Sequence, residues 1–396
     1  MKIIFILGKQ FREKILKTMG LDIMSKYAEI SIFDVSSCLK SDADVNYQDS
    51  IQKFTQLTII KKINDLEFEL SNFHSDTTLV IVLSTDLKQI KPIAKLLKKY
   101  NLNYALKNTK SNPFNPHKIK NKIHTKSIID NFLIDCFYKL KTWNILNSII
   151  KLRWINIYKP KYFLVSTETT KKQINFYNKF TVFIKSHSDD YDKYLDFINK
   201  KYYHELCNYK YGLFIDQYIP FHNETKTFYK INLISAEYYS KISDFLLKLK
   251  EYLNLQKIII ALHPNANLEK VKPYFQAQYF SIISGKTLRY TAQSDIVVGH
   301  ASTAFSYAIL FNKPIMLIKT LDMKRTQYEY AIDEWANVLN RKPNLILSNK
   351  QDISNFDYGA DQRAYLEYLK KYIKNPNTPD LKQWEIFLER VLKDYS

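Results

Sequence analysis

The sequence predicts an α/β protein of two domains in series, each a parallel sheet with helices between its strands. Three observations point there. Short apolar runs alternate with segments of helical spacing from the start of the chain. The same alternation resumes after an irregular polar stretch at 220–230. And 396 residues, 46% of them hydrophobic, are enough to fill two cores of ordinary size.

Residues 3–7 (Ile-Ile-Phe-Ile-Leu) read as a buried first strand, followed by a helix. Residues 30–35 and 79–83 are the next strands. Residues 90–100 have apolar side chains at helical spacing, and 104–106 form a further strand. Residues 108–126 break the pattern: Asn, Lys, Pro and Ser without apolar period predict an exposed basic loop. Residues 128–157 then read as a basic amphipathic helix, which lies on a membrane surface or an acidic partner, or packs on its own domain. Strands are expected at 162–165, 181–184 and 212–216, with a helix at 191–200. Beyond 220–230 come a helix at 236–253, a strand at 257–262, and continued alternation through 271–275, 279–283 and 287–293. A strand at 295–299, a helix at 304–311 and a strand at 314–318 follow. The tail is helical over 362–373 and 381–392, broken by Asn375-Pro-Asn-Thr-Pro379.

Charge and cysteine usage narrow the class. Net charge is +20, a field that favours anionic partners, or else a Lys-rich surface supplied by an AT-rich genome. The basic residues are spread over the whole chain and no nucleic-acid motif is present, so no nucleic-acid partner is expected. Cys38, Cys136 and Cys207 are odd in number and have no metal spacing, which suits a reducing compartment. The run at 3–7 is too short for a signal peptide, and no stretch is long enough to span a bilayer. The expected location is the cytoplasm, with peripheral contact at the inner face of an anionic membrane.

Two landmarks carry the chemistry. In open α/β sheets ligands bind beyond the carboxyl ends of the strands. His263 directly follows the strand at 257–262, and Pro264, lacking an amide hydrogen, ends the ladder. An imidazole there donates to a phosphate oxygen or, alternatively, caps a neighbouring helix. The second landmark is His300-Ala-Ser302-Thr303, between a strand and an apolar helix. Ser302 or Thr303 is an N-cap candidate, and a helix start with free amides and added hydroxyls attracts an anion. The chain has six glycines and neither a GxGxxG nor a P-loop, so any phosphate must be held by helix starts of this kind.

These residues resemble bacterial GT-B glycosyltransferases of surface polysaccharide synthesis. The likeness rests on the strand followed by His263-Pro264, and on the run Ser-Asp-Ile-Val-Val-Gly-His-Ala-Ser-Thr-Ala-Phe-Ser-Tyr-Ala-Ile-Leu-Phe-Asn-Lys-Pro-Ile at 294–315. It covers roughly 236–320. It is similar to bacterial sialyltransferases and capsule Kdo transferases, where an HP motif and a downstream Ser/Thr motif hold the donor nucleotide, and to the CDP-glycerol glycerophosphotransferases.

The resemblance implies two facing Rossmann-like domains: an acceptor side at 1–222, a nucleotide-sugar side at 223–375, and a C-terminal helix at 376–396 packing back on the first. It implies a metal-independent transferase of capsule or lipopolysaccharide synthesis with no cofactor. The partners would be a nucleotide-sugar donor, CMP-sugar favoured, and a glycan or lipid-linked acceptor. His263, Pro264, His300, Ser302 and Thr303 would bind the donor phosphate. The acidic motif that supplies the base in sialyltransferases is absent here. Its nearest stand-in is Asp216, at the end of the strand at 212–215, which is also an ordinary turn residue. His187 and Asp190, in the cluster at 185–192, are the other candidates for the base. Asp190-Tyr-Asp192 also fits a metal-holding pattern, while Ser188 or Asp189 fits a plain helix cap. Two rival readings remain: transfer of glycerophosphate from a CDP carrier, and a non-catalytic or nucleic-acid-binding basic protein.

Overall fold

A computed structural model describes residues 1–11, 13–39, 56–84, 86–110, 113, 158–173, 176–200, 208–222, 225, 233–347 and 352–395. The helix expected at 128–157 and most of the loop expected at 108–126 lie outside the described residues. The chain divides into two compact units. Of the described residues, the first holds those within 1–110, 158–189 and 374–395, and the second residue 113 and those within 190–373.

The first unit is built on a seven-stranded sheet. Its strands are β1 (Lys2–Leu7), β2 (Glu29–Asp34), β3 (Leu57–Ile59), β4 (Thr78–Leu83), β5 (Asn103–Asn108), β6 (Tyr162–Val165) and β7 (Val182–Lys185), in the order β3-β2-β1-β4-β5-β6-β7. Every pairing is parallel. Crossover helices cover both faces of such a sheet, which is why β1 and β4 are continuous apolar runs and not alternating ones. β1 pairs on one side with β2 and on the other with β4, so the winding reverses direction between β1 and β4.

The helix Gln383–Leu392 belongs to this first unit. Trp384 meets Phe5 edge-on at 5.9 Å, and Phe387 meets Tyr162 at 6.3 Å. The Trp384 indole donates to the Thr18 carbonyl at 2.8 Å. Gly20 lies beneath that ring in the left-handed region (φ 60°), and a Cβ there would sit 2.2 Å from Trp384 Cδ1. Glycine is required on both counts.

The second unit carries a six-stranded sheet. Its strands are β8 (Tyr211–Ile215), β9 (Lys257–Leu262), β10 (Phe280–Ser284), β11 (Ile296–Gly299), β12 (Ile315–Thr320) and β13 (Asn344–Ile346), in the order β10-β9-β8-β11-β12-β13. All pairings are again parallel. The sequence reading placed the strand at 212–216 in a first domain ending at 222. The structure corrects this. β8 is a central strand of the second sheet, flanked by β9 and β11. β8 and the helix Ser235–Tyr252, which flank 220–230 in sequence, are in the same unit, so the boundary is not there. Gly212 helps seat β8, since a Cβ there would come within 2.9 Å of Ile258 Cδ1. The described chain is thus an α/β protein of two domains, each a parallel sheet with interleaved helices.

Candidate functional site at the strand ends of the second unit

β8 leads out to one side through β9 and β10, and to the other through β11, β12 and β13. The winding reverses between β8 and β11, the position at which open α/β sheets open a crevice. The carboxyl ends there are Asp216-Gln217 after β8, His263 after β9 and His300-Ala301-Ser302-Thr303 after β11. Because β9 and β11 flank β8, their ends lie roughly 10 Å apart.

His263 leaves the sheet as soon as Leu262 ends β9. Its carbonyl accepts from Ala266 N–H at 2.8 Å, closing the turn that Pro264 enters. Its Nδ1 accepts from Asn265 N–H at 3.2 Å. That bond assigns the tautomer: the ring proton sits on Nε2, which makes Nε2–H the donor of this side chain. His222 packs edge-on against the same ring, with centroids 4.9 Å apart. The pairing spans 41 positions (222 to 263) and only the fold reveals it.

His300 departs from expectation. It is fully buried, and both ring nitrogens are committed. Nδ1 faces the Ile318 carbonyl at 2.7 Å and so carries the proton, while Nε2 accepts from Tyr238 OH at 2.8 Å. Burial pushes its pKa down to about 4, against the pull of the Ile318 carbonyl. It is a neutral ring tying β11 to β12 and to the helix Ser235–Tyr252, and it has no nitrogen left to give a phosphate.

Ser302 and Thr303 do lie at the surface of this edge, partly and more fully exposed. Ser302 Oγ accepts from Ala304 N–H at 3.2 Å within the turn, but the N-cap position of the next helix is Ala304, with no side-chain cap, and not Ser302 or Thr303 as expected. The helix that follows, Phe305–Leu310, has only six residues. Its dipole is correspondingly small, and the hydroxyls and turn amides are the donors this loop offers.

What holds that loop is a residue the sequence did not single out. The Gln217 amide pairs with the backbone of Ala301 as a neighbouring strand would. Nε2 donates to the Ala301 carbonyl, and Ala301 N–H donates to Oε1 at 3.0 Å. Tyr328 OH donates to the same Oε1. Tyr218 follows in the left-handed region (φ 57°), uncommon for a bulky side chain and typical of a constrained turn.

Asp216 is not on the other side of any cleft from His263. It ends the strand next to it and is 1% exposed. Its carboxyl accepts from Tyr218 N–H at 3.1 Å and from Tyr239 OH at 3.3 and 3.4 Å. Burial pushes its pKa up to about 7, with the Tyr218 amide and Tyr239 hydroxyl pulling the other way. Adjacent tyrosines on one helix therefore hold two strand ends: Tyr239 takes Asp216 and Tyr238 takes His300.

The cluster at 185–192 is divided. His187 is in the first unit, fully buried, with Nε2 2.7 Å from the Leu381 carbonyl and Nδ1 3.2 Å from that of Ser188. Asp189 joins Lys107, Thr109 and Gln383 at 2.7, 2.9 and 3.1 Å. Burial opposes its charge, and those partners nonetheless hold its pKa below the ordinary value. Asp190 is in the second unit, where Ser306 and Tyr307 donate to it at 2.9 and 2.8 Å and Lys193 stands at 3.3 Å. That carboxylate anchors the helix Phe305–Leu310.

Two cavities lie elsewhere. One of about 340 Å³ opens at the carboxyl ends of β1, β4 and β5 in the first unit. Another of about 440 Å³ opens at the opposite edge of the second sheet, where β8 and β11 begin, beside Lys210, Gln256 and Asp295. Among the described residues no helix is long and apolar enough to cross a membrane.

No family model and no curated protein matches the sequence. Solved structures do align along the whole chain. The S. aureus MnaA–UDP co-structure aligns at 12% identity and a TM-score of 0.49, covering 100% of this chain and 98% of that one. Anabaena Alr3699/HepE in complex with UDP aligns at 8% identity and 0.47, covering 99% of each. Acinetobacter baumannii MurG aligns at 6% identity and 0.47, covering 99% of this chain and 100% of that one. Likeness at this level transfers no activity to this chain.

Proposed function

We propose that this chain is a glycosyltransferase of the GT-B kind, taking a sugar from a nucleotide donor to a bacterial surface glycan or lipid-linked acceptor. The observation that carries the reading is the state of His263. It stands at a strand end beside the winding reversal, and Asn265 holds it in the tautomer whose Nε2–H donates. Ser302 and Thr303, on the loop clamped by Gln217, would supply the second set of donors. Together they would bind the donor phosphates and stabilise the negative charge that grows as the nucleotide leaves, without needing a metal ion. The net charge of +20 supports an acidic or phosphate-bearing acceptor. Asp216, His187 and Asp190 are each committed to internal partners, so the proton acceptor for the incoming hydroxyl is left unassigned.

The test has two parts. Thermal shift against CMP, CDP, UDP and GDP and their sugars should give one selective stabilisation, since a ligand bound only by the folded state raises its stability. His263→Ala should then lower turnover with that donor by a factor of about 100 or more while the melting temperature stays put. Wild-type turnover in that variant would sink the assignment.

A further inference from the structure

The cavity at the carboxyl ends of β1, β4 and β5 is unclaimed by the reading above and does not depend on it. It sits at the winding reversal of the first sheet, where Leu7 ends β1 and Leu83 ends β4. Its floor is apolar: Leu7, Ile15 and Leu83. Its polar wall is largely occupied. Ser84 Oγ donates to Gln89 Oε1 at 2.7 Å, Asp86 caps the helix Leu87–Lys99 through Lys88 N–H at 2.9 Å, and Asp189 is taken by Lys107 at 2.7 Å. Lys9 and Lys110, both exposed residues, line the same cavity. Protein packed around Lys110, and then the charge of Lys9, hold its pKa below the ordinary lysine value, with Asp189 opposing. Like charges brought within each other's field at a concave, partly apolar surface are costly when empty and favourable around an anion.

We propose that this cavity binds the oxyanion of a sugar-sized acidic ligand, with Lys9 and Lys110 meeting the charge and the Leu7, Ile15 and Leu83 floor meeting the ring. At about 340 Å³ it falls within the small end of ligand sites and is large enough for one such group. The recognised chemistry is the oxyanion, supplied either by a carboxylate or by a phosphate monoester on the ring.

Calorimetric titration of the full chain with glucuronate, glucose 6-phosphate and glucose tests this. At least one of the two acidic sugars should bind about tenfold tighter than glucose, and more weakly as salt is raised. Whichever acid binds tighter names the source of the oxyanion. Lys9→Met and Lys110→Met together should abolish that preference without lowering the melting temperature, since the repulsion between them is relieved. His263→Ala should leave the binding unchanged, which separates this site from the donor-phosphate site. Glucose binding as tightly as both acids, neither acid binding, or a double variant with wild-type affinity would each overturn the proposal.

Discussion

The two units wind their sheets the same way and treat the crevice at the reversal in opposite ways. In the first unit the gap between β1 and β4 stays open, with Lys9, Lys107 and Lys110 along it. In the second unit the matching gap between β8 and β11 is filled. Gln217 pairs with the backbone of Ala301, Tyr328 seals the amide, and Asp216 and His300 lie buried behind it. A reversal of winding supplies a crevice, and the residues just past the strand ends decide whether it stays one. In the second unit the accessible donors are displaced to the flanks, onto the half-buried His263 after β9 and the Ser302-Thr303 turn after β11.

Opening the filled crevice is the severest test of the contrast. Gln217→Leu removes both halves of the amide pairing with Ala301 and takes away the Oε1 that accepts from the Tyr328 hydroxyl. The expected loss is about 3 kcal/mol of stability in urea unfolding, because buried polar groups left unpaired cost about 1–3 kcal/mol each. If Gln217→Leu unfolds like the wild type, the amide does not close the crevice. Donor binding should weaken in parallel as the 301–303 turn loosens.

A gentler probe is the charge sealed behind the clamp. The folded pKa of Asp216, about 7, lies above the unfolded carboxylate value, so its contribution to stability is full below about pH 4 and is lost as pH rises through 7. His300, lowered to about 4, works the other way: its contribution is present above about pH 6.5 and is lost as pH falls through 4. The two largely offset one another between those limits. Asp216→Asn keeps the acceptor for Tyr239 and removes the ionisation. It should leave stability at pH 3 nearly unchanged and raise it at pH 8 by about 3–4 kcal/mol. Equal denaturation midpoints for variant and wild type at pH 8 would contradict the buried-charge account.

The mildest change bears on the open crevice. A Cβ at Gly8 would lie 2.3 Å from Gln89 Oε1 and 3.2 Å from Ser84 Cβ. Gly8→Ala should therefore push the Gln89 side chain aside and break its bond from Ser84, at a cost of about 1 kcal/mol. The acid-sugar titration should respond more than the melting temperature does.

How much of this was legible in the sequence follows from the physics of each element. β1, β4 and β9 are buried on both faces, and an uninterrupted apolar run is what such burial demands. The short end strands β3 and β13, of three residues each, left no run to read, and the helix Gln327–Leu339 between β12 and β13 was passed over. The His263-Pro264 turn was readable because Pro264 itself stops the ladder. The Gln217 clamp was not, since nothing local marks an amide that will pair with a backbone 84 residues further on. In the sequence His300 stands in one landmark with Ser302 and Thr303, and nothing local marks that its own side chain turns inward to lie fully buried. Asp216 was placed on the wrong domain for one reason: a polar stretch interrupting a unit looks, in one dimension, like a stretch dividing two.

The helix Gln383–Leu392 carries a consequence for synthesis. It supplies Trp384 and Phe387 to a core that also contains Ile3, Phe5 and Leu7. During translation, the whole second unit, residues 190–373, emerges before residue 383 does. The unit begun second can thus be finished first, while the core on this face of β1 lacks Trp384 and Phe387 until nearly four hundred residues later. Contacts of such long sequence separation form late and leave apolar surface exposed meanwhile. For the nascent chain, the interval between β1 and its closing helix is the period in which chaperone protection counts most.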